Sequence, residues 1–334
     1  MKGWLTVLLI VALAAAAYAH VPLSGGGNDH LDHALAVEDP TKSWVVYDRL
    51  DAGGTAKYYR FEMEEGEELR LSVFTPEQST SSPGMVVMGP GIAPSGTVPP
   101  FVEVPEGVGA AVIPGQVPEM AEFEPFTPAA IYPGVAYSVE VPAAGTYHVA
   151  VFEPDTGGAF GLVVGFREDF SPTEFLRVPL DVIGIHRWEG QLLAFILAPM
   201  VLTLIVGSGL LALGLRRNEI SLGGLFGWLA ISAGLLYLGS GLMLLLQTAV
   251  ALEKTGPDPA AVLPLIYVLI AVILGTFAIR TGLHRNGHAS RKGGVLMIVI
   301  SLLGLFAWSG LLLGPVLALA AGVLGILRSE DASS

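Results

Sequence analysis

The chain contains no cysteine. That excludes disulfides, thiolate metal sites, a cysteine nucleophile and a bacterial lipid anchor on cysteine. A secreted domain without disulfides must be stable on its core alone. Catalytic signatures are also missing: there is no G-x-S-x-G, no H-E-x-x-H and no P-loop. Charge is scarce, at 14% of residues, against 52% hydrophobic. No Asp, Glu, Lys, Arg or His lies deep in the long apolar runs of the C-terminal part. Ion-coupled transporters and proton pumps need such residues, so the composition disfavours them.

What charge there is falls unevenly. Residues 20–190 hold 8 Lys+Arg and 25 Asp+Glu, a net of −17, and the remainder of the chain nets +4. The acidic part would repel phosphate backbones, which argues against nucleic acid as a partner.

Lys2, the apolar run 4–17 and Ala17-Tyr18-Ala19 form a positive n-region, an h-region and an A-x-A cleavage site. Cleavage after Ala19 is predicted, with an uncleaved anchor as the alternative. Residues 20–170 then form an extracytoplasmic all-β domain. Residues 20–40 read as an extended lead-in or loop. Strands are predicted over 44–47, 56–63, 68–74, 85–88, 101–104, 110–113, 136–141, 146–152 and 160–164. Leu69, Leu71 and Val73 alternate with Glu68, Arg70 and Ser72, the period of a strand with one buried face. Many short strands with Gly/Pro turns imply an antiparallel sandwich. The stretch 114–134 is rich in proline, acids and aromatics. It reads as a stiff loop, either functional or a cover over a sheet edge.

Tyr58-Tyr59-Arg60-Phe61 and Gly66-Glu67-Glu68-Leu69-Arg70-Leu71-Ser72-Val73 resemble the opening of a pre-peptidase C-terminal-like domain. Ala144-Gly145-Thr146-Tyr147-His148-Val149-Ala150-Val151 and Gly158-Ala159-Phe160-Gly161-Leu162-Val163-Val164 are similar to its closing hairpin. The resemblance covers about 55–165. It implies a jelly-roll-like β-sandwich acting as an accessory binding or folding module without catalytic residues. The 114–134 insert departs from it.

Ser171-Pro172-Thr173-Glu174 is a helix start, with a serine cap, proline at the first position and Glu174 closing a capping box. Residues 171–190 are expected to form a juxtamembrane collar, with Trp188 in the headgroup region. Residues 191–327 divide into about five transmembrane helices: 191–215, 222–247, 261–279, 294–309 and 312–327. Arg216-Arg217 and Arg280, Arg285, Arg291 and Lys292 then fall on one side, which the positive-inside rule makes cytoplasmic. The expected product is a multi-pass cell-membrane protein with its N-terminal domain outside and a cytoplasmic tail over 328–334. Four spans would instead place the C-terminus outside. Glycines such as Gly234, Gly304, Gly322 and Gly325 allow close helix packing, within the chain or in a homo-oligomer. Residues 222–327 also resemble small four-span prokaryotic membrane modules in hydropathy.

Three histidines are candidate metal ligands. Cleavage after Ala19 would give His20 an α-amine beside its ring nitrogen, a chelating pair suited to copper. That pattern resembles the histidine brace of lytic polysaccharide monooxygenases and of the soluble part of particulate methane monooxygenase. Only His20 matches it. His30 and His33 lie three apart among Asp29 and Asp32, as a metal pair or as solvated loop residues. The acidic groups Asp48/Asp51 and Glu62–Glu68 are candidates for calcium or a solvated face.

The leading expectation is therefore a non-enzymatic membrane protein. Its sandwich would bind a membrane or envelope protein or another envelope component, while its helices contact lipid. A copper- or metal-binding protein using His20 is the second reading, and an accessory subunit of a transport complex the third.

Overall fold

The structure is a computed structural model. It describes residues 20–78, 82–220, 222, 224–283 and 290–331. The expected signal peptide, and Arg285 of the basic loop, lie outside the described residues.

Among the described residues, eleven strands make two sheets. They are β1 (Val21–Ser24), β2 (Leu35–Ala36), β3 (Trp44–Leu50), β4 (Thr55–Met63), β5 (Glu68–Thr75), β6 (Gly84–Gly89), β7 (Gly109–Ile113), β8 (Glu122–Glu124), β9 (Ala129–Glu140), β10 (Gly145–Glu153) and β11 (Gly158–Val164). One sheet runs β1-β3-β11-β5-β9-β8 and the other β2-β4-β10-β6-β7. Tyr59, Phe61 and Tyr147 of the second sheet share one core with Leu69, Phe160 and Leu162 of the first. The alternation in β5 holds, with Leu69, Leu71 and Val73 buried between more exposed neighbours. Inside the sandwich, the buried Asp48 accepts from Asn28 Nδ2 at 3.2 Å, from the Tyr59 hydroxyl at 2.8 Å and from the Arg49 amide at 2.8 Å. A buried carboxylate needs such partners.

Three expectations change. The sheets are mixed, because β1 and β2 pair parallel with β3 and β4. Both are short edge strands inside the expected 20–40 loop. Residues 101–104 are not a strand. Pro99, Pro100 and Pro105 flank them and cannot donate to a ladder. Val102 and Phe101 pack instead on Tyr58, Met88 and Phe152, covering the outer face of the five-stranded sheet. The 114–134 insert is not all loop, since it contains β8 and the start of β9. Pro133 fits within β9 because the β5–β9 register shifts there, opposite Ser72 and Phe74. Trp188, expected in the headgroup region, makes its contacts with the sandwich. It lies against Tyr47 and Phe74, and its indole N–H donates to the Asp48 carbonyl at 2.9 Å.

The helices are α1 (Pro172–Trp188), α2 (Leu193–Arg216), α3 (Gly224–Thr255), α4 (Val262–Leu283), α5 (Arg291–Phe306) and α6 (Leu313–Asp331). The capping box of α1 forms as expected: the Ser171 hydroxyl accepts from the Glu174 amide, and the Glu174 carboxylate accepts from the Ser171 amide. Three stretches, Leu193–Arg216, Gly224–Thr255 and Pro259–Leu283, are long and apolar enough to cross a membrane, with mean hydropathies of 2.3, 2.0 and 2.7. The 16 residues of α5 make a rod of roughly 24 Å, short of the ~30 Å hydrocarbon core.

The five helices after the collar run alternately up and down. The C-terminal part of α3 puts Ala251 against Phe123 of the sandwich, while Gly224 at its start lies near Arg328 of α6. At the start of α5, Gly294 meets Gly322 and Gly325 of α6, and the α5–α6 turn touches α1 through Trp308. Backbones come close where side chains are absent. A Cβ on Gly234 would sit 2.7 Å from the Gly275 carbonyl oxygen, and one on Gly294 would sit 2.7 Å from that of Gly322.

Candidate binding cleft at the sandwich–helix junction

The outer face of the six-stranded sheet is covered by α1 and the β8–β9 hairpin, and these two elements fasten the sandwich to the helices. Lys42, just before β3, donates to both Glu174 oxygens at 2.9 and 2.8 Å. Burial opposes the Glu174 charge, yet Lys42 and the Ser171 amide and hydroxyl together hold its carboxyl below the usual range. On the hairpin side, Phe123 packs on Ala251 and Ala261, and the Phe126 ring meets Trp308 edge-on at 5.4 Å. Trp308 also lies 4.8 Å from the Phe175 ring and donates its indole N–H to the Phe175 carbonyl at 2.9 Å. Below α1, Gln191 and Gln247 exchange amide hydrogen bonds at 2.9 and 2.8 Å.

These contacts leave a cleft of about 350 Å³ between the sheet, the hairpin and α1. Its volume falls in the range of small-molecule sites, which combine apolar walls with a few polar groups. The apolar wall includes Tyr47, Phe74 and Trp188. Their rings stand at steep mutual angles, with centroids 4.9 to 6.3 Å apart. Phe74 can occupy this place because Gly161 on β11 has no side chain; a Cβ there would come 2.2 Å from the ring.

The ionisable groups of the wall are nearly all acidic: Glu122, Glu124, Asp181 and Glu189, with no Lys or Arg. Burial raises the Glu124 carboxyl, against the pull of the Phe126 and Thr127 amides. Burial likewise raises Asp181, opposed by Arg177. The Tyr47 hydroxyl is pushed up by burial first, then by the negative charges of Glu124 and Glu189. On the far side of α1 lies a second, smaller cavity of about 120 Å³, bordered by Tyr267, Trp308 and the buried His186. His186 Nδ1 is 2.9 Å from Glu189. Val178 and Val182 border both spaces, so α1 is a single wall between them.

The structure places His20 apart from the His30–His33 pair, beside a different sheet. His20 precedes β1 at the edge of the six-stranded sheet, with Nδ1 against the Ser43 hydroxyl, and burial lowers its pKa. His30 caps the short 3₁₀ turn before β2, and His33 is the last residue of that turn, at the edge of the other sheet. His30 Nδ1 lies 2.9 Å from Glu103, whose hydrogen bond and charge raise its pKa. His33 Nδ1 is 3.6 Å from Asp32. Among the described residues no three His, Asp or Glu side chains gather as a metal site. Of the calcium candidates, Asp48 is committed to the internal network above, and Glu62 accepts from the Thr146 hydroxyl at 2.9 Å.

No protein-family model matches the chain, and no curated protein matches it. The cleft was not legible as a site in the sequence, because its wall residues come from β3, β5, the hairpin and α1. The aromatic–acidic composition of 114–134 and Trp188 were its two visible signals.

Proposed function

We propose that this is a non-enzymatic cell-surface membrane protein whose sandwich lies outside the cell and binds its ligand in the junction cleft. One observation carries the reading: the insert that breaks the sandwich pattern is the hairpin that both docks on the helices and walls the cleft. The strand order, in which β3-β11-β5-β9 faces β4-β10-β6-β7, supports a jelly-roll sandwich of the pre-peptidase C-terminal-like kind. The alternating helix directions support five spans, with α5 and α6 as a short antiparallel pair and the C-terminus in the cytoplasm. Arg216, Arg217, Arg280, Arg291 and Lys292 then share the cytoplasmic side with Arg328.

The cysteine-free chain makes the test direct. Ser72 lines the cleft and is half-buried. Ser72→Cys on intact cells is expected to react with a membrane-impermeant thiol reagent, and to react more slowly when the cell's envelope extract is present. Labelling only after lysis overturns the reading. A reporter fused after Ser334 is expected to read cytoplasmic; an outside signal leaves four spans.

A further inference from the structure

The chemistry of the cleft names a ligand class. We propose that it binds an organic ammonium ion, seated against Tyr47, Phe74 and Trp188 and neutralised by Glu124 and Glu189. This rests on the reading of the cleft as the binding site.

Three independent features converge. The first is the aromatic wall. Cations are attracted to aromatic π-faces, and clusters of such rings are the recurring solution for methylated ammonium groups. The second is the one-sided charge. Four acidic side chains line the space and neither Lys nor Arg does; one of the four, Asp181, has Arg177 at 3.6 Å, which leaves Glu122, Glu124 and Glu189 without a Lys or Arg partner among the described ion pairs. The basic groups that reach these acids come from outside the lining or from beyond α1: Arg177 beside Asp181, and His186, which lies 2.9 Å from Glu189. The third is the Tyr47 hydroxyl. No described hydrogen bond reaches it, although it lies close enough to Glu124 and Glu189 for their charges to act on it.

The same geometry speaks against an inorganic ion. Calcium takes six to eight oxygens at about 2.3–2.6 Å. The cleft carboxylates do not converge that tightly, since no three-ligand cluster exists among the described residues. They are also partly occupied: Glu124 accepts the Phe126 amide at 3.0 Å, and Glu189 takes His186 and Gln191. A diffuse cation with an apolar shell needs no chelation. It gains from the rings and from the general negative potential instead.

An ammonium group has two sources here. It can be free in solution, as choline or tetramethylammonium, or it can be a lipid headgroup, because α1 stands over the ends of the membrane helices. The test uses the full-length protein in detergent and in nanodiscs, with intrinsic tryptophan fluorescence and calorimetry as readouts. Titration with tetramethylammonium and choline is expected to saturate, and equal concentrations of sodium or calcium are not expected to reproduce the change. Glu124→Gln is expected to weaken binding at least tenfold, with Glu189→Gln and Tyr47→Leu weakening it less. Glu122→Gln, an exposed rim change that leaves packing intact, is expected to weaken binding about twofold and keeps the test valid if the inner variants misfold. If the source is lipid, nanodiscs of phosphatidylcholine block the soluble ligand and nanodiscs of phosphatidylglycerol do not. If it is free, both discs leave it unaffected. No saturable response to either ammonium compound, in detergent or in phosphatidylglycerol discs, overturns the proposal. So does binding that survives unchanged in Glu122→Gln and Glu124→Gln. Either failure leaves the surface-labelling result on Ser72→Cys standing, so the two readings fail separately.

Discussion

In the sandwich, Tyr59, Phe61, Tyr147 and Phe160 meet across the sheets and are almost wholly buried. In the helices, Gly234 faces Gly275 and Gly294 faces Gly322, and backbone approaches backbone. Both interiors are dense, but one is filled by large side chains and the other by their removal. With the helices placed in the membrane as proposed above, the solvent explains the contrast. Water drives apolar side chains together, so volume is rewarded in the sandwich. Lipid tails are as apolar as leucine and give no such drive, so helix contact depends on packing at short range. The junction combines both modes: Trp308 is a large ring set on a turn of positive-φ residues, Trp308, Leu311 and Leu312 among them. Such backbone costs about 1–3 kcal/mol per residue and persists only where the surroundings enforce it. Here the Phe175 carbonyl and the Ser240 hydroxyl, which accepts the Gly310 amide at 2.8 Å, do so.

The contrast predicts opposite sensitivities. Phe160→Ala is expected to cost the sandwich about 3–5 kcal/mol, read as a lower denaturant midpoint of its fluorescence transition, with the helices still assembled in detergent. Enlargement should do the damage in the helices. Gly294→Leu is expected to destabilise the α5–α6 pair by about 1–3 kcal/mol or more, seen as lost monodispersity in detergent. Leu242→Ala, on an exposed helix face, should have little effect. Equal tolerance of both helix variants would remove the contrast.

The junction should respond more modestly. Trp308→Phe keeps a ring but loses the indole donor to the Phe175 carbonyl, an expected loss of about 0.5–1.5 kcal/mol. Faster proteolysis between the sandwich and α1 would report it. The smallest effect belongs to the Lys42–Glu174 pair, a partly exposed ion pair contributing on the order of 1 kcal/mol or less. The Glu174 carboxyl is held below its ordinary value, so its contribution is present above the unfolded value near 4.5 and is lost as pH falls through the folded one. Cleavage between 165 and 172 should therefore accelerate under acid in the native chain. Glu174→Gln should flatten that pH dependence.

Regular periodicity was legible. The alternation in β5, the capping box of α1 and the helix-packing glycines all stand where local pattern placed them. The misreadings share a cause, which is that tertiary context decided them. The strands β1, β2 and β8 have four, two and three residues, too few to carry a period, and each lies at a sheet edge. Residues 101–104 have an apolar pattern because they cover a sheet, not because they join one. Trp188 beside Arg187 has the local look of an interfacial anchor. Its partners, Tyr47, Phe74 and Asp48, are more than a hundred residues away in sequence. The site suffered most, because a cleft shared by two strands, a hairpin and a helix has no sequence period at all.

The central claim is that the hairpin and collar hold the sandwich in one position on the helices. The absence of cysteine allows a clean measurement. With Phe126→Cys and Trp308→Cys together in the full-length protein, a short bifunctional thiol reagent is predicted to join the two within one chain, at the high yield expected of neighbouring rings. If both cysteines react singly but no intramolecular link forms, the sandwich is not docked there and the junction cleft does not exist as described.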